Sequence, residues 1–188
     1  MSKSIISLFV CCIFLFAGLS VASAEDEFNF EKVQEHMKTL KKTDMKYKNV
    51  VITRITISNN PEIDKDDNPK EFTSTTEAAV LSILEDANLF DSVTLGKAPE
   101  KAKSTLIVKA DLIEFRKVST VKRMFLGLMA GHSNMELKTT LIDAASGKII
   151  SESTVGDSAM MADSGVARNV GERLSDLVIK ASLAKSGM

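Results

Sequence analysis

Between Met135 and Leu141, inward candidates Met135, Leu137, Thr139 and Leu141 alternate with Glu136, Lys138 and Thr140, the two-residue period of a strand with one dry and one wet face. The same period runs through Thr105–Val118, where Leu106, Val108, Ala110 and Leu112 point one way and Lys109 and Asp111 the other. Val50–Ile57 is β-branched at every position except Arg54 and predicts a first strand, closed by Asn59-Asn60-Pro61. Shorter strands are expected at Ser92–Leu95 and Lys148–Val155. The latter is joined to its predecessor as a hairpin through the turn residues Asp143-Ala144-Ala145-Ser146-Gly147.

Helical spacing separates these strands. Phe30, Val33, Met37 and Leu40 recur every three or four residues within the charged stretch Glu25–Asn49 and predict an amphipathic helix with a lysine-rich far end. Ser74-Thr75-Thr76-Glu77 has the form of a capping box, so a second helix is expected to start there and to carry Val80, Ile83, Leu84 and Ala87 on one face. Val166, Val170, Leu174, Leu177, Val178 and Ala181 mark a last helix beginning after Asp163. The order is β-α-β-β-β-β-α. It predicts a two-layer α+β fold in which a mixed, mostly antiparallel five-stranded sheet has helices packed on one face.

The chain's beginning follows a different pattern. Lys3 is followed by an apolar run from Leu8 to Ala17 and then by Ala22-Ser23-Ala24 before acidic Glu25-Asp26-Glu27, the layout of a secretory signal peptide. The apolar run falls short of the roughly 20 residues needed to cross a bilayer. The expected organisation is a signal peptide over 1–24, an amphipathic helix or linker over 25–48 and a single α+β domain over 49–185. The protein should be periplasmic or secreted after cleavage near Ala24. Bulky Val10 stands where a lipoprotein signal carries a small residue, which argues against lipid anchoring through Cys11 or Cys12.

Both cysteines lie in that signal, so the mature chain is expected to have no disulfide, thiolate metal site or cysteine nucleophile. The formal charge of -1 becomes -2 once Lys3 is removed, which gives no general attraction for nucleic acid.

The segments Tyr47-Lys48-Asn49-Val50-Val51-Ile52, Ala87-Asn88-Leu89-Phe90-Asp91-Ser92-Val93, Ala110-Asp111-Leu112-Ile113-Glu114-Phe115 and Leu141-Ile142-Asp143-Ala144-Ala145-Ser146-Gly147-Lys148 together resemble a bacterial family of exported proteins. Many of its members are lipoproteins, and it is known only as a domain of unknown function. The resemblance covers about residues 45–182. It implies the fold and an envelope setting, and it brings no catalytic residues.

Tests for chemistry return little. Asp64-Lys65-Asp66-Asp67-Asn68 spaces oxygen ligands as a calcium loop does, but Pro69 stands where the sharp turn needs glycine and Thr75 where a bidentate glutamate should close the site. His36 and His132 have no adjoining ligand pattern, the serines lack a glycine-flanked elbow, and Gly127–Gly131 lacks both phosphate-loop and dinucleotide spacing. No cofactor, metal or catalytic site is expected.

The sharpest local feature is a glycine-containing apolar loop behind two cations, formed by Lys122, Arg123, Met124, Phe125, Leu126, Leu128 and Met129. Such a composition suits docking on a partner or touching an anionic membrane surface; the alternative is that it covers an end of the core. The expected function is non-enzymatic, through contact with an envelope partner or with further copies of the chain. The other reading is a periplasmic small-ligand or lipid-binding module.

Overall fold

A continuous β-branched run should make one unbroken strand, yet Val50–Ile57 is divided in two. In the computed structural model, which describes residues 28–63, 68–97, 102–118, 124–126, 131–159 and 163–184, β1 spans Asn49–Ile52 and β2 Thr56–Ile57. Ile52 pairs with Val108 and Thr56 with Asp111, so one extra residue is accommodated between the two pairings. The reason lies outside the run. The backbone N–H of Ile55 donates to Glu77 Oε1 at 2.7 Å, and Arg54 closes an ion pair on the same carboxylate.

That glutamate sits within α2, Pro69–Asp86. The helix therefore begins five residues before the expected start at Ser74, with Pro69 in its first turn, where a missing N–H costs nothing. Asn68, in the left-handed region at φ 57°, precedes it. The capping-box pattern is real in sequence but falls in mid-helix, where Glu77 serves the break between β1 and β2 instead of its own helix start. The acidic run Asp64–Asp67 lies outside the described residues.

The other elements follow the predicted pattern with shifted ends. Helix α1 is confined to Phe30–Thr39, capped by Asn29, whose side chain accepts from the Lys32 N–H at 3.1 Å. Strand β3 spans Ser92–Leu95, β4 Thr105–Arg116, β5 Ser133–Asp143 and β6 Ile149–Ala159, which ends four residues later than expected. Helix α3 spans Asp163–Ser182.

The sheet has six strands, because the first is split, in the order β3-β1-β4-β5-β6 with β2 also against β4. β1 lies parallel between β3 and β4, reached through the α2 crossover, while β4, β5 and β6 form an antiparallel meander. The β5–β6 turn is built as expected: Asp143 Oδ1 accepts from the N–H groups of Ala145 and Ser146, and Gly147 takes φ 69°.

Leu106, Val108 and Leu112 of β4 and Met135, Leu137 and Leu141 of β5 are fully buried in a core shared with Val80 and Leu84 of α2 and Val170, Leu174 and Val178 of α3. The two helices meet closely at Gly171, where an added Cβ would come 2.7 Å from the Ala79 Cβ. On the opposite face the register aligns Val51, Ile107, Ile142 and Ile149 in one row across four strands. Lys109 and Lys138 are exposed farther along that face.

Candidate functional site: the β4–β5 connection and its base

The connection from β4 to β5 is fixed at its feet. The N–H of Val118 donates to Ser133 Oγ at 2.9 Å, with both residues only 2% exposed. Beside them Gly131 adopts φ 86°, a conformation that side chains with a Cβ rarely take. Beyond these feet the described residues Met124, Phe125 and Leu126 form a helical stretch and are 80%, 84% and 54% exposed. Three consecutive large apolar side chains in water are uncommon on a soluble surface. Lys122, Arg123, Leu128 and Met129, predicted to belong to the same feature, lie outside the described residues.

An open cleft of about 580 Å³ lies at the base of this connection, lined by Glu62, Glu114, Arg116, His132, Asn134 and Ser158 among others. Asn134 Nδ2 donates to Glu114 Oε1, while its own Oδ1 is buried without a hydrogen-bond partner among the described residues. His132 thus faces a mixed-charge cleft, whereas His36 lies with Lys180 and Leu183 at another surface depression. The two histidines are not brought together. Among the described residues no group of three or more His, Cys, Asp or Glu side chains could hold a metal ion.

A second polar constellation was not anticipated from sequence. Tyr47, 2% exposed, donates its hydroxyl to Asp143 Oδ2 at 3.1 Å, and Lys46 Nζ lies 4.0 Å from the same oxygen and 4.8 Å from the tyrosine ring centroid. The Ser146 N–H, then the Tyr47 and Ser146 hydroxyls and the Ala145 N–H, hold the Asp143 carboxyl below its ordinary pKa against the opposing effect of burial. The hydrogen bond with Tyr47 holds the Lys46 ammonium above its own, helped by the Asp143 carboxylate and opposed by desolvation. The chemistry is that of a clamp. It ties the β5–β6 hairpin to the segment leading into β1, and it favours the charged form of both ionisable partners instead of poising either for proton transfer.

Among the described residues no helix is long and apolar enough to cross a membrane. Ile149 and Ile150, 49% and 36% exposed at the start of edge strand β6, form a further apolar surface.

Comparison with curated proteins returned no match. Among solved structures, the chain is similar to a PelC dodecamer from Paraburkholderia phytofirmans, with 14% identity and a TM-score of 0.48, covering 70% of this chain and 89% of that one. It is also similar to a DUF330 protein from Xanthomonas campestris, with 10% identity, a TM-score of 0.45 and coverage of 70% and 81%. The lipoprotein GNA1162 from Neisseria meningitidis gives 11% identity, a TM-score of 0.38 and coverage of 70% and 96%. The match to a sequence family runs from the α1 N-cap to just past β6, starting before and ending short of the 45–182 span expected from the short motifs. Residues 29–162, well over half of the chain, match the domain of unknown function DUF4410, and the protein belongs to that family.

Proposed function

We propose that this is an exported envelope protein that acts without catalysis, through protein–protein contact, as an accessory subunit or a homo-oligomeric one. The observation that carries the reading is the exposure of Met124, Phe125 and Leu126 on a connection whose feet are pinned to the sheet. Burying one such side chain is worth about 1.5–3 kcal/mol. Three together supply roughly 5–9 kcal/mol of gross stabilisation, of the same order as the cost of association, so they would anchor a contact that further groups complete. Export rests on the Lys3, Leu8–Ala17 and Ala22-Ser23-Ala24 pattern.

Ligand binding has less support. The groove between α1 and α2, about 300 Å³ among Gln34, Met37, Lys38, Ile83 and Asp86, is open and at the lower limit of pocket sizes that enclose small molecules.

The test is in-cell crosslinking of the mature protein followed by mass spectrometry, with Phe125→Asp combined with Leu126→Asp as the control. A reproducible partner or self-crosslink that disappears in the variant, at unchanged thermal stability, is expected. Absence of any reproducible crosslink in the wild type would overturn the reading. A large stability loss in the variant would show that the turn belongs to the core.

A further inference from the structure

The carboxyl ends of parallel strands β1 and β3 open onto a crevice of about 510 Å³. Thr53 and Arg54 reach it from the break between β1 and β2, Thr56 from β2, Gly96 and Lys97 from the chain just beyond β3, and Lys109 and Asp111 from β4. In sheets with parallel strands, ligands favour the crevice outside the carboxyl ends at the point where successive connections diverge. Here the chain leaves the β1–β2 segment through α2 for β3 on one side, then crosses to β4 on the other.

The charges in the crevice are arranged unevenly. Arg54 is held from behind by Glu77, a carboxylate only 4% exposed, which is itself fixed by the Ile55 N–H at 2.7 Å. That ion pair engages Nη1. Among the described residues the remaining edge of the guanidinium, with Nε and Nη2, is left for another acceptor. Lys97 and Lys109 are exposed, and neither makes an ion pair or side-chain hydrogen bond among the described residues. Among the described residues Asp111 is the one carboxylate lining the cleft. Two point charges and an oriented fork suit a tetrahedral dianion better than a planar monoanion.

We propose that this crevice binds a phosphate group, with Lys97 and Lys109 supplying charge and Arg54, positioned by Glu77, supplying directed hydrogen bonds. The proposal is independent of the Met124–Leu126 turn and goes beyond the interaction role. The phosphate could belong to a soluble monoester or to a lipid headgroup, and the chemistry at the crevice is the same for both.

The test uses the whole mature chain in calorimetric titration with inorganic phosphate and with glycerol 3-phosphate at low ionic strength. Saturable binding that weakens as salt is added is expected. Lys97→Ala combined with Lys109→Ala should lower the affinity by about tenfold for each cation removed. Gly96→Asp is a second probe: its Cβ would enter open space at an ordinary backbone conformation, so folding should be untouched while a negative charge enters the crevice. It should abolish binding. Sedimentation with phosphatidylcholine vesicles, with and without phosphatidic acid, separates the two sources. Vesicle binding that needs phosphatidic acid and is competed by glycerol 3-phosphate assigns a lipid headgroup, and binding of the soluble probes alone assigns a soluble ester. No saturable binding by the wild type to any of these probes, or wild-type affinity retained in both folded variants, would overturn the proposal.

Discussion

Replacing Glu77 by leucine tests the physical cause of the break between β1 and β2. The side chain is 4% exposed and Ile55 is 8% exposed, so the substitution removes the acceptor of an N–H that water reaches poorly. Leaving a buried donor unsatisfied costs about 1–3 kcal/mol. Arg54 adds less, because its side chain is 72% exposed, and an ion pair with one exposed partner contributes about 0–1 kcal/mol. The expected loss for Glu77→Leu is therefore about 1–4 kcal/mol. At about 2–4 °C per kcal/mol for a chain of this size, that corresponds to a fall in Tm of roughly 2–16 °C. Glu77→Gln keeps an oxygen acceptor for Ile55 but loses the charge, and should fall between wild type and Glu77→Leu. Arg54→Ala should cost less than Glu77→Leu, since the Ile55 hydrogen bond survives it. Urea unfolding followed by circular dichroism gives the three values. Stability of Glu77→Leu within about 0.5 kcal/mol of wild type, the range of an inert surface change, would refute the reasoning, as would a larger loss in Arg54→Ala.

Two further outcomes follow from local geometry. Gly171→Val places atoms against Ala79 and the Thr76 carbonyl, 2.7 and 3.3 Å from the new Cβ, and should destabilise by about 1–3 kcal/mol. In the milder Gly171→Ala, the additional change Ala79→Gly should recover part of the loss, which a double-mutant cycle measures. The lowered pKa of Asp143 means that its ionised form is favoured in the folded chain, so its contribution is fully present above the ordinary carboxylate range and is lost as pH falls through the folded value. Asp143→Asn should lower stability at neutral pH and flatten its decline in acid; urea midpoints at neutral and acidic pH that shift in parallel for both proteins would contradict this.

The strands that obey their local alternation are those whose partners ask nothing else of them. β5 reads directly because Met135, Leu137 and Leu141 meet a continuous apolar layer, and the Asp143–Gly147 turn reads directly because its hydrogen bonds close within four residues. Local reading fails at Glu77, where a capping-box pattern suggests a helix start but the carboxylate serves the break between two strands, 22 residues away. The true start carried its own signal in Asn68-Pro69, a polar residue followed by proline in the first turn. For function the same division holds. The apolar turn is visible in sequence because Met124, Phe125 and Leu126 are consecutive. The phosphate crevice is invisible there, because Arg54, Lys97 and Lys109 are separated by long stretches and converge only when β1 is placed between β3 and β4. Arg54, with Thr53 and Thr56, lines that crevice from the same place where the strand departs from regular pairing, and the buried carboxylate that takes the Ile55 N–H there also pairs with Arg54, so one departure from strand regularity links the misread capping box to the crevice.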